Sequence, residues 1–101
     1  MDNSEIKELS AFLENALDES GLSVDVLVVS APTIKGENKK HKELDLVIVS
    51  SDFRDKSIAE RNLLTTRSEI RTQRKYGIAF DVLNLTPEEY SATNFMQSSM
   101  F

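Results

Sequence analysis

Residues Leu44 to Val49 read LDLVIV, and this stretch decides the class of fold. The run is apolar and rich in β-branched residues, and only Asp45 interrupts it, which predicts a strand covered on both faces. Val24 to Val29 (VDVLVV) has the same character, and Ile78 to Leu85 (IAFDVLNL) predicts a third strand. Strands that alternate with helical patterns predict an α/β domain around a small sheet.

Helical patterns surround these strands. Asp2 and Glu5 have the spacing of a capping box, and an amphipathic helix is predicted from about Ser4 to Ser20, with Gly21 at its end. Its apolar stripe consists of Ile6, Leu9, Leu13 and Ala16, widened by Phe12 and Leu17. A long helix is predicted from about Ser57 to Lys75. Its apolar stripe, at spacing i, i+4, i+7 and i+11, consists of Ala59, Leu63, Thr66 and Ile70.

Gly77 is predicted to end the long helix, and Thr86, Pro87 and Glu89 predict the start of a short last helix. The predicted order is therefore α, β, loop, β, α, β, α, within one domain that spans residues 1–101. Residues 91–101 show no clear periodicity, and we expect this tail to be flexible or to bind a partner.

Composition limits the classes of function. The chain has 101 residues, 40% of them hydrophobic and 29% charged, with no cysteine and a net charge of −5. A chain of this size has room for one core, and without cysteine it has neither disulfides nor a thiolate zinc site. With no apolar run of membrane-spanning length and an acidic, polar start, we expect a soluble cytoplasmic protein. The negative charge disfavours strong nucleic-acid binding.

Carboxylates in the strands are the candidate metal ligands. Glu43 and Asp45 are two residues apart, so both point to the same face of their strand, and Asp81 lies within the third strand. If the strands are neighbours, the three form an oxygen-rich site of the kind that Mg²⁺ prefers. Asp81 would then serve as the base. The alternative for Glu43 is a solvated acid at the end of a strand.

Positive charge is concentrated in two places. Lysines at 35, 39, 40 and 42 flank His41 in the loop before the second strand, where they would counter the charge of a triphosphate or merely keep the loop soluble. His41 cannot build a metal site alone. Arg67, Arg71 and Arg74 share one face of the long helix, which predicts either a solvated face or a contact with a partner or RNA.

Three motifs in order carry a family resemblance. One strand ends Val28-Val29-Ser30, twelve residues separate Ser30 from the acidic pair Glu43 and Asp45, and Phe80-Asp81-Val82 supplies the third acid. The chain thus resembles the minimal, antitoxin-type nucleotidyltransferases of the DNA polymerase beta superfamily over about residues 23–90. That resemblance implies a polymerase beta-like nucleotidyltransferase fold, with a small mixed sheet packed by helices.

The same resemblance implies a function. It is the Mg²⁺-dependent transfer of a nucleoside monophosphate from a nucleoside triphosphate to a hydroxyl. The implied metal ligands are Glu43, Asp45 and Asp81, with Asp81 also catalytic, and the implied nucleotide-binding residues are Ser30, Lys35, Gly36 and Lys39. The alternative is a non-catalytic protein-binding module of that fold, such as an antitoxin that neutralises a helical toxin, since Val29 stands where the family has glycine. A helical partner protein or a second copy would complete the pocket.

Overall fold

The elements of the chain alternate between helix and strand. The computed structural model describes the backbone of residues 3–31 and 42–99 and the side chains of residues 3–31 and 43–93. No helix within these ranges is long and apolar enough to cross a membrane. The elements are α1 (Asn3–Glu19), β1 (Val26–Ser30), β2 (Lys42–Val49), a 3₁₀ turn (Ser51–Phe53), α2 (Ile58–Tyr76), β3 (Ile78–Leu85) and α3 (Pro87–Ser99).

The sheet has three strands in the order β1, β2, β3. Strand β1 runs antiparallel to β2, whereas β2 and β3 run parallel, with α2 as the crossover between them. Asp45 lies in the central strand, with Ser30 as its Cα partner on one side and Asp81 on the other. The register therefore sets these three residues in one row on one face of the sheet.

The core lies on the opposite face of the sheet. Leu44, Leu46 and Ile48 are buried there, and α1 covers them with a stripe that is also buried. That stripe consists of Leu9, Leu13 and Leu17, and Phe53 of the 3₁₀ turn closes the same cluster. The prediction for α1 is confirmed at Leu9, Leu13, Ala16 and Leu17, whereas Ile6 and Phe12 are only half-buried.

The second face of the sheet is largely open. Asp81 and Leu83 are exposed on it, and Asp45 and Val47 are half-buried. The prediction that both faces of β2 are covered holds at Val49, which is buried, but not at Asp45 and Val47, because α1 and α2 both pack on the face that carries Leu46. A β-branched run indicates a strand, but it does not say how many helices will cover that strand.

Helix α2 is held to β3 by polar groups. The Asn84 amide donates to Asn62 Oδ1 at 3.0 Å and to Thr65 Oγ1 at 3.1 Å. The backbone N–H of Phe80 donates to Gln73 Oε1 at 3.2 Å. These bonds fix which side of α2 faces the sheet, since an Asn84 amide buried without partners would cost about 1–3 kcal/mol.

The predicted C-terminal end of α2 and the predicted start of α3 are confirmed. Gly77 caps α2 in the left-handed region, with φ at 63°. The backbone N–H of Thr86 donates to Glu89 Oε1 at 2.8 Å, and the backbone N–H of Glu89 donates to Thr86 Oγ1 at 3.1 Å, which is a capping box. Helix α3 then continues to Ser99, so it extends into the tail segment that lacks clear periodicity. Asp2 of the predicted first box lies outside the described residues.

Candidate protein-interaction site

Helix α2 carries two stripes with the same spacing. The buried stripe, at i, i+4, i+7 and i+11, consists of Arg61, Thr65, Ser68 and Thr72. The apolar stripe has identical spacing and begins two residues earlier, with Ala59, Leu63, Thr66 and Ile70. Because each residue turns a helix by about 100°, the two stripes lie about 200° apart, on opposite sides of α2.

The apolar stripe therefore faces solvent. Leu63 is 79% exposed and Ile70 is 38% exposed, while Thr65 and Thr72 on the other side are 0% exposed. Burying a leucine or isoleucine side chain ordinarily yields about 1.5–3 kcal/mol, which the isolated domain forgoes at Leu63. Apolar residues grouped in this way on a surface mark an interaction site more often than apolar residues scattered singly.

A shallow groove of about 490 Å³ runs along this side of α2. Its lining residues are Leu63, Thr66, Arg67, Ile70, Arg71 and Arg74. The apolar centre is therefore bordered by three guanidinium groups. We call this surface the α2 outer face.

The three arginines differ in their contacts. Arg71 Nη1 lies 3.2 Å from Glu19 Oε2 of α1, and its guanidinium carbon lies 5.9 Å from the centre of the Phe12 ring. Arg67 and Arg74 make no ion pair with the residues that the structure describes. Their charges are available to an incoming partner, whereas Arg71 is partly engaged in joining α2 to α1.

One titratable group lies on the side of α2 between the two stripes. Glu69 is half-buried, and its Oε2 has no hydrogen-bond partner among the described residues. Burial raises the pKa of the Glu69 carboxyl, and a hydrogen bond with Thr65 opposes that shift. Glu69 is therefore a source of pH dependence in stability.

The structure brings together part of the predicted metal site on the open face of the sheet. Asp45 and Asp81 are Cα partners on adjacent strands and share a shallow depression of about 330 Å³ with Val47 and Leu83. Glu43 lies on the same face, two residues along β2, where its Cα partner is Ala79. Ser30 follows in the same row from β1.

The predicted ligand roles remain predictions. Within residues 3–31 and 43–93, no group of three or more histidine, cysteine, aspartate or glutamate side chains is arranged to hold a metal ion. Lys35, Gly36 and Lys39, predicted to bind nucleotide, lie outside the described residues, as does His41. Neither Mg²⁺ binding at Asp45 and Asp81 nor a phosphate contact by Ser30 is tested by this geometry.

Element order and strand pairing define a small two-layer α/β domain with a mixed three-stranded sheet. Solved structures that resemble it are BolA-like proteins. A bol-like protein from Babesia bovis is 28% identical, with a TM-score of 0.56 over 84% of this chain and 92% of that one. BolA1 from Mus musculus is 18% identical, with a TM-score of 0.62 over 85% and 71%.

A third similar structure is the BolA domain of SufE1 from Arabidopsis thaliana. It is 23% identical, with a TM-score of 0.53 over 79% of this chain and 93% of that one. No protein family matches the chain by sequence, and no curated protein does either. The fold is accordingly BolA-like.

This result overturns the fold and function predicted from the motifs. The fold is not that of the polymerase beta nucleotidyltransferases. The prediction of nucleotidyl transfer with Asp81 as its catalytic residue is therefore wrong. The antitoxin alternative rested on the same fold and is wrong for the same reason. Acidic residues two apart in a strand occur in many α/β folds, because any half-open sheet tolerates carboxylates on its solvent side.

The sequence predicts that the arginines of the α2 outer face form either a solvated face or a contact with a partner or RNA, but it does not predict that Leu63 and Ile70 are exposed beside them. The signal was present, since Arg61, Thr65, Ser68 and Thr72 have the same helical spacing as the apolar stripe. Two competing stripes on one helix indicate that one of them is exposed. Hydropathy alone predicts that the apolar stripe is buried. The hydrogen bonds of Asn84 to Asn62 and Thr65 instead place the polar stripe against β3.

Proposed function

We propose that this chain is a BolA-like domain that acts by binding a partner protein through the α2 outer face. One observation carries the proposal: α2 buries its polar stripe and exposes Leu63 and Ile70. Apolar side chains that are exposed in the free domain become buried when a partner covers them, and their removal from water favours binding.

The structural comparisons support a role of this kind. The BolA domain of SufE1 is, by its name, one domain of a longer protein. Occurrence as part of a longer protein is compatible with a role in binding other proteins. We place this function in the cytoplasm, in keeping with the expectation from the sequence.

Capture of cellular proteins by the wild-type chain and by matched variants tests the proposal. The bait is the full chain, attached at its N-terminus, in wild-type form and as the double variant Leu63→Glu, Ile70→Glu. The control is Leu83→Glu, which also places a carboxylate at an exposed leucine but on the open face of the sheet, where Leu83 is 50% exposed. Bound proteins are quantified by mass spectrometry, and circular dichroism checks that each bait is folded.

A protein that the wild type and Leu83→Glu retain, and that the α2 double variant loses, is the expected result. Equal capture by all three folded baits would contradict the proposal, because the α2 outer face would then contribute nothing to binding. Loss with Leu83→Glu alone would move the interaction site to the open face of the sheet.

A further inference from the structure

We infer that the segment that binds the α2 outer face is an acidic amphipathic helix of the partner protein. This inference rests on the proposed function and adds the chemistry and shape of the partner. It follows from three properties of the face: its length and straightness, its charge, and the poor fit of a second copy of the chain.

Length and shape favour a helix as the bound element. Leu63, Thr66 and Ile70 span two turns of α2, which is about 10 Å along its axis. Arg67 and Arg74 lie along one side of this line. A straight apolar strip on a helix, with side chains at i, i+3 and i+7, accepts the complementary strip of a second helix packed along it.

Charge selects the kind of helix. Three guanidinium groups border the groove, on a chain whose net charge is −5. Arg67 and Arg74 have no carboxylate partner among the described residues, so glutamate or aspartate side chains flanking the apolar strip of the incoming helix would supply one. Bidentate arginine–carboxylate pairs at the rim of an apolar contact fix orientation and exclude basic partners.

A second copy of the chain does not meet these requirements. Two copies packed through the α2 outer face about a twofold axis would bring two sets of Arg67, Arg71 and Arg74 into one interface. The acidic helix α1 of another copy fits no better, because its apolar residues Leu9 and Leu13 are fully buried in its own core. Neither of these two surfaces of a second copy fits, and the charge of the face favours a different protein as the occupant.

Two synthetic peptides test the inference directly. Both are helical, about 18 residues long, with leucines at i, i+4, i+7 and i+11. One carries glutamates beside the leucines and the other carries lysines at the same positions. Fluorescence anisotropy measures the Kd of each labelled peptide for the full chain at low and high salt, and ¹⁵N chemical-shift mapping locates the bound peptide.

We expect the acidic peptide to bind at least about ten-fold more tightly than the basic one, with shifts centred on Leu63 and Ile70. Raising the salt from about 50 to about 500 mM should weaken that binding several-fold, because screening acts on exposed charge pairs. Arg67→Glu should weaken it about ten-fold, while Lys7→Glu, an equal charge change on an exposed residue of α1, should change it less than about two-fold.

Several outcomes would overturn the inference. These are equal binding of both peptides, binding of neither, shifts that map away from α2, or equal losses with Arg67→Glu and Lys7→Glu. A dimer in sedimentation that Ile70→Glu dissociates would show that the face joins two copies instead. If the peptides fail while capture of a cellular protein still requires Leu63 and Ile70, the inference about the acidic helix fails and the proposed function stands.

Discussion

Arg61 of α2 bonds to Asn84 of β3 and Glu89 of α3, so its replacement tests whether burial of the bonded groups determines how much they stabilise the fold. Its side chain is buried, with the residue 9% exposed. Nε donates to the carbonyl of Lys56 at 3.1 Å, and Nη1 donates to the carbonyl of Asn84 at 3.1 Å and to Glu89 Oε1 at 2.7 Å. Its guanidinium carbon lies 5.9 Å from the centre of the Phe53 ring.

Arg61→Met keeps the apolar stem and removes every one of these bonds. The carbonyl of Asn84 then loses a partner in a buried position, which costs about 1–3 kcal/mol, and loss of the bond to Lys56 adds about 1 kcal/mol. These two losses together should lower the free energy of unfolding by about 2–4 kcal/mol, a large share of the roughly 5–15 kcal/mol typical of a domain. The melting temperature should fall by roughly 8–32 °C, at about 4–8 °C per kcal/mol. Loss of the pair with Glu89, whose side chain is 47% exposed, adds at most about 1 kcal/mol.

Arg54 provides the matched control. It forms a similar pair, with Nη2 2.6 Å from Glu88 Oε2, but both side chains are more than half exposed, at 54% and 62%. Urea unfolding followed by circular dichroism should show a much smaller shift of the midpoint for Arg54→Met than for Arg61→Met. Equal shifts in the two variants would refute the reasoning, since burial of the bonded groups would then not determine the cost. Arg61→Lys should recover only part of the loss, because one ammonium group cannot reach all three acceptors.

Three further predictions concern backbone strain and pH. Asp55 has φ at 62°, so Asp55→Gly should raise the free energy of unfolding by about 1 kcal/mol, measured by urea unfolding. Burial raises the pKa of Glu69, so the folded state loses stability when Glu69 ionises as the pH rises through the acidic range. The melting temperature of Glu69→Gln should therefore be higher than that of the wild type at pH 8 and equal to it near pH 3. A constant difference across that range would contradict this cause. Hydrogen bonds from Thr86 and Arg61 lower the pKa of Glu89, so the wild type should be more stable than Glu89→Gln at pH 7 and lose that advantage as the pH falls through the acidic range, again by thermal unfolding.

Local chemistry made the helix ends predictable from the sequence. Gly77 ends α2 because a left-handed cap suits glycine, and the Thr86 and Glu89 box depends on residues only three apart. The apolar spacing of α1 likewise placed Leu9, Leu13 and Leu17 in the core, since no competing stripe exists on that helix. Each of these features is determined by contacts within one or two turns of chain or by one dominant pattern.

The topology of the fold and the site were harder to predict. The row of Ser30, Asp45 and Asp81 does form across the sheet, yet the fold around it is BolA-like, because acidic residues at strand positions do not specify a topology. Strand direction and helix placement depend on packing between segments distant in sequence. The motifs predicted which carboxylates lie together and failed to predict what surrounds them.

The sequence by itself determined where the helices and strands lie, because hydrophobic periodicity and capping act over a few residues. Only the tertiary structure decided which side of α2 faces the sheet. Two stripes of equal spacing compete on that helix, and the bonds of Asn84 to Asn62 and Thr65 turn the polar one inward. Leu63 and Ile70 are left in solvent as a consequence. The proposed site therefore depends on Asn84 of β3, which lies 22 residues from Asn62 and 19 from Thr65 in the sequence.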